Sequence, residues 1–139
     1  MNEVLRQEKK FAINQAEAAR LRGRLDPVMI QDSHNGPLGY SIRSLYFDTP
    51  GDQDFRDKED GLELRRKIRL RIYDPGDSFA MLEMKQKEGP YQRKRSLRLR
   101  REDAQALIQG DYRPLLGYQE PFAGECYGLM TCRCYRPKA

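Results

Sequence analysis

The chain is 139 residues long, enough for one domain around a single modest core. Hydrophobic residues make up 38% and charged residues 34%. No run reaches the roughly 20 apolar residues of a membrane-spanning helix and no signal-peptide pattern opens the chain, so the expectation is a soluble, cytoplasmic protein. The net charge of +5 is unevenly spread, since residues 65–101 hold 13 Lys/Arg against 4 Asp/Glu and the rest holds 13 against 17.

Taken in chain order, residues 5–13 (LRQEKKFAI) alternate as a strand does. Asn14, with Glu17 three residues on, predicts a capped helix over 15–29. Residues 31–39 form a loop by their Gly, Pro, Asn and Asp content, and His34 within it is expected to be solvent-exposed. A strand over 40–47 (YSIRSLYF) follows, then a polar, turn-like stretch to Gly61 with one short helix around 52–58. Strands at 65–73, 79–87 and 91–100 are separated only by DPGD and EGP, which predicts an antiparallel meander. Helices are expected over 102–109 and 120–132. The fold class is α+β: an antiparallel sheet with flanking helices.

Cys126, Cys132 and Cys134 match neither a C-x-x-C pair nor a Cys/His zinc pattern, and reduced thiols are expected.

Period-2 alternation sorts the charge by face. Arg65, Lys67, Arg69, Arg71 and Tyr73 share one side of their strand, opposite Arg66, Ile68, Leu70 and Ile72. Glu83, Lys85 and Lys87 lie opposite Leu82 and Met84, and Lys94, Ser96, Arg98 and Arg100 lie opposite Leu97 and Leu99. In the first strand Arg6, Glu8 and Lys10 fall on one side and Phe11 and Ile13 on the other. Like charges at successive same-face positions are costly without a counter-anion. Such a face suits phosphate, with Arg giving a bidentate grip and Lys a point charge. Glu8 and Glu83 among these cations are orienters of basic side chains, ligands for a divalent metal riding on the phosphates, or simple charge balance.

The segments RQEKKF (Arg6 to Phe11), SLYFDT (Ser44 to Thr49), KIRLRIY (Lys67 to Tyr73), LEMKQKEG (Leu82 to Gly89) and KRS (Lys94 to Ser96) resemble, in order and spacing, the VTC domain. That is the polyphosphate polymerase domain of the triphosphate tunnel metalloenzyme (CYTH-like) superfamily. The resemblance implies half of a tunnel of antiparallel strands whose basic lining binds ATP or another triphosphate and polyphosphate, with Mn or Mg as cofactor. It implies Lys10, Arg69, Arg71, Lys85 and Lys94 as catalytic phosphate ligands and Arg6, Lys67 and Lys87 as further lining. Glu8 matches an acidic position used for metal in the superfamily, and Glu83 is a second metal candidate.

Family domains are longer, so residues 1–139 are expected to be a truncated single domain, or one that completes its sheet in a homo-oligomer. Catalysis by this chain alone is left open. The resemblance also leaves room for a membrane-protein partner that would hold the protein at the membrane periphery. A tunnel triphosphatase and a non-catalytic polyphosphate-binding module are the alternatives. The hydrolase branch opens with E-x-E-x-K, and Arg6 stands at its first acidic position, which favours the polymerase type. Nucleic acid is not expected, because no aromatic pair forms a stacking platform on the basic face.

Overall fold

The computed structural model describes residues 2–33 and 35–138, apart from the side chains of Asn2 and Arg6; His34 lies outside the described residues. The chain divides into two compact units, Glu8–Ser41 and the remainder, made of the residues up to Gln7 and those from Ile42 onward.

The larger unit is an α+β structure on one antiparallel sheet. Its strands are β1 (Asn2–Arg6), β2 (Arg43–Asp48), β3 (Leu64–Ile72), β4 (Phe79–Glu88), β5 (Tyr91–Arg100) and β6 (Arg136–Lys138). They lie in the order β1-β5-β4-β3-β2-β6, open at both edges. The meander β3–β4–β5 is its centre, as the short connections dictate. In the first connection Asp74 accepts from the Gly76 N–H at 2.6 Å while Asp77 accepts from the Asp74 N–H at 3.0 Å. In the second, Gly89 sits at φ +60°, a left-handed conformation that glycine adopts without steric cost.

The apolar side of the sheet presents Ile68, Leu70, Leu82, Met84, Leu97 and Leu99, all buried. Helices α3 (Arg101–Ile108) and α4 (Pro121–Cys132), with a 3-10 turn at Arg113–Gly117, add Leu107, Leu115, Phe122 and Met130 to the same core. Arg95 points to this side and is only 8% exposed. Its terminal nitrogens donate to both carboxylate oxygens of Glu125 and to Gln86 at 2.6 Å, and its guanidinium lies 4.9 Å from the Phe122 ring centroid. This pairing ties α4 to β5. Cys126 is buried in α4, where burial pushes its thiol up to about 12. All three thiols are free.

Helix α2 (Gln53–Glu59) is held by a residue outside it. Asp48, buried at the end of β2, accepts from the backbone N–H groups of Thr49 (2.7 Å), Asp54 (3.0 Å) and Phe55 (2.9 Å). Asp54 in turn accepts from the Tyr135 hydroxyl at 2.6 Å, which ties α2 to the segment entering β6.

In the smaller unit, α1 (Gln15–Leu25) carries the expected capping box. The Asn14 N–H donates to Glu17 at 2.8 Å, and the Glu17 N–H donates to Asn14 at 2.9 Å.

Several boundaries differ from the sequence reading. The first strand occupies Asn2–Arg6, not 5–13, because Arg6 already pairs with Gln92 and β5 begins one residue earlier at Tyr91. Phe11 and Ile13, expected on an apolar strand face, are exposed. β2 starts at Arg43 for the same reason, since Arg43 pairs with Ile72, the last residue of β3. Helix α1 ends at Leu25 rather than Met29, since Pro27 has no N–H to continue the ladder. β6 and the 3-10 turn were not anticipated. Among the described residues no helix is long and apolar enough to cross a membrane.

Candidate functional site

The face opposite the core carries the charge, and the register shows how densely. Lys67 of β3 lies directly across from Lys85 of β4, which lies directly across from Lys94 of β5. One step along the strands, Tyr46, Arg69, Glu83 and Ser96 form a parallel row across β2 to β5. The next row runs Ser44, Arg71, Met81, Arg98, and on the other side Arg65 faces Lys87. Adjacent strands are about 4.8 Å apart, so the three lysines span roughly 10 Å of sheet. Three ammonium groups at that spacing repel one another unless anions lie between them.

Glu83 organises the second row. It is 2% exposed, and both its oxygens are occupied by cations. Oε2 accepts from Arg69 Nε at 2.7 Å and lies 2.6 Å from the second Arg69 nitrogen, while Oε1 lies 2.6 Å from Lys94 Nζ. Arg71 Nε stands 4.0 Å away and donates instead to Ser44 Oγ at 3.2 Å. Arg69 also donates to the Tyr46 hydroxyl at 3.3 Å. Burial pushes the Glu83 carboxyl up, but the hydrogen bonds from Lys94 and Arg69 outweigh it and hold the group below its ordinary range. The Arg69 contact, with Lys67 and Arg71 nearby, likewise lowers the Tyr46 phenol.

A buried carboxylate of this kind fixes two cationic side chains in direction while cancelling one of their charges. The remainder is a positive, pre-oriented surface with N–H groups held on one side of the sheet. Chemically it can bind and align an extended polyanion.

Arg69, Arg71, Lys85 and Lys94 are thus brought to one face, with Lys67 beside them and Lys87 further along the same side. Lys10 and Glu8 belong to the smaller unit, where Lys10 Nζ and Glu8 Oε1 are 3.6 Å apart. The backbone of Arg6 pairs with Gln92, and its side chain lies outside the described residues. With its two oxygens taken by Arg69 and Lys94, Glu83 orients these basic groups. Among the described residues no three His, Cys, Asp or Glu side chains gather into a metal-binding group.

Sequence reasoning missed Ser44 and Tyr46, which hold Arg71 and Arg69. Their alternation within SLYF is visible, but the register that places them opposite those arginines is not. Arg98 was assigned to the face without a role; it stacks on Phe79, 3.7 Å from the ring centroid.

The fold and this face define an α+β domain with a helix-covered apolar side and an open cationic side. The chain belongs to the VTC domain family, whose model matches residues 5–139. No curated protein matches the chain significantly. Among solved structures it is similar to a protein of Bacillus halodurans assigned as an adenylate cyclase, with 14% identity and a TM-score of 0.44. That similarity takes in 77% of this chain and 46% of the other, so the chain spans about half the length of that protein.

Proposed function

We propose that this chain forms the phosphate-binding part of a polyphosphate polymerase-type phosphotransferase, holding ATP or another triphosphate and inorganic polyphosphate along its basic sheet face. The observation that carries this reading is the convergence of Arg69, Arg71 and Lys94 on buried Glu83 beside the cross-strand row Lys67–Lys85–Lys94. Membership of the VTC domain family supports it.

Phosphoryl transfer asks a protein mainly to align the phosphates and neutralise charge that builds up in transit. Arg69 and Arg71 suit the equatorial oxygens because guanidinium donors can grip two oxygens at once. The lysine row lets a chain slide, since an ammonium makes no fixed fork. The family implies Mn or Mg, which would supply additional charge neutralisation. The chain's own contribution on this face is its cations.

Incubating the protein with ATP and Mn or Mg, then staining for polyphosphate, tests the proposal. Polymer formation is expected. Free phosphate without polymer would instead indicate the tunnel triphosphatase, and tight polyphosphate binding with neither product would indicate a binding module.

A further inference from the structure

Arg69 reaches across the sheet to a hydroxyl on β2. The register sets Tyr46 directly opposite it, and the guanidinium donates to the phenol oxygen at 3.3 Å. Receiving that bond uses only the oxygen of the hydroxyl. A hydroxyl that accepts from a guanidinium turns its own hydrogen away from the cation, because both hydrogens carry positive charge. Among the described residues the Tyr46 hydroxyl donates to none, and the residue is 42% exposed.

Arg69 itself has few donors left. Of the five N–H groups of a guanidinium, Nε and one terminal nitrogen serve Glu83 while the other terminal nitrogen serves Tyr46, so one N–H on each terminal nitrogen remains. A phosphate drawn to those donors meets the Tyr46 hydroxyl beside them, already polarised by the same cation. A hydroxyl also adds a donor without adding charge to a face where like charges repel. We infer that Tyr46 is a direct phosphate-binding residue: its oxygen receives Arg69, and its hydrogen is donated to the phosphate that Arg69 grips.

This role has a signature in pH. The hydrogen bond from Arg69, with the charges of Arg69, Lys67 and Arg71 of β3 close by, holds the phenol below the usual 10 against the opposing effect of burial. Lys138 of β6 stands opposite Tyr46 in the register, and Asp48, Asp52, Asp54 and Lys58 line the same hollow as its ring. An ionised phenol has no hydrogen to donate and sets a negative charge against the phosphate. Affinity for phosphate therefore falls as pH rises through the lowered phenol value.

The inference rests on the proposed phosphate-binding reading and adds to it a neutral donor outside the Arg/Lys pattern. Calorimetric titration of inorganic tripolyphosphate into the chain and into its Tyr46→Phe variant, from about pH 7 to about pH 10, tests it. At neutral pH the variant is expected to bind about tenfold more weakly, as loss of one hydrogen bond to a charged group does. With rising pH the parent loses its advantage and the gap closes. A crystal structure of the unsubstituted chain with tripolyphosphate is expected to place Tyr46 Oη within about 3 Å of a phosphate oxygen, which separates a donor from a residue that only holds Arg69. Unchanged affinity in Tyr46→Phe, a gap that persists at high pH, or bound tripolyphosphate beyond hydrogen-bond reach of Oη overturns the donor role while the phosphate reading stands. Failure of the unsubstituted chain to bind tripolyphosphate overturns both.

Discussion

Glu83 is the residue whose removal says most about the basic face. Its folded carboxyl is held below the usual 4.5, so its contribution to stability is complete above about pH 4.5 and is lost as pH falls through the folded value. Replacing it with Gln leaves Arg69 and Lys94 without a counter-charge on a largely buried surface. Glu83→Gln is expected to cost about 2–3 kcal/mol at neutral pH, at or below the low end for breaking a buried ion pair because Lys94 is partly exposed. Urea unfolding at pH 7 and pH 4 checks this: the variant should lose less stability on acidification than the parent. Equal losses would show that Glu83 is only balancing charge. Arg69 is a poor probe of ligand binding for the same reason, since its loss exposes the Glu83 problem, whereas Arg71 and Lys85 can be removed more cleanly.

At the scale of elements, the meander was legible because every link agreed: period-2 alternation, short Gly/Pro/Asp turns and branched residues all point to β3, β4 and β5. The face assignment of Arg69, Arg71, Lys85 and Lys94 followed from parity alone, and parity survives small errors in strand ends. What parity cannot supply is where a partner strand stops. β1 was placed too far along, three residues late at its start and seven at its end, and β2 was started three residues early, because β5 and β3 end where they do, a fact of pairing rather than of local sequence. β6, three residues long and containing Pro137, carries no periodicity to find. Asp48 was likewise invisible as a cap, because it reaches α2 across the turn from the end of a strand while Asp52, at the cap position, makes no side-chain cap bond. Asp48→Ala should therefore strip three backbone donors of their acceptor and destabilise the protein by about 2 kcal/mol. Amide exchange at Asp54 and Phe55 should accelerate ahead of exchange in β3 to β5; uniform acceleration would contradict a local role for the cap.

Across the whole molecule, the division of labour in the larger unit is between two sides of one sheet. The apolar side is closed by α3 and α4, locked through Arg95 and Glu125, and its core accounts for why so charged a chain folds. The other side concentrates the positive charge that the composition showed in residues 65–101. The residues themselves pointed to phosphate on this face; the expectation of a triphosphate or polyphosphate came from the family resemblance. The most direct test of that claim is calorimetric titration of inorganic tripolyphosphate into the chain and into its Arg71→Ala, Lys85→Ala double variant. Two charge-assisted hydrogen bonds at about 1.5 kcal/mol each predict roughly 100-fold weaker binding by a variant that remains folded. An affinity equal to that of the parent would contradict the account.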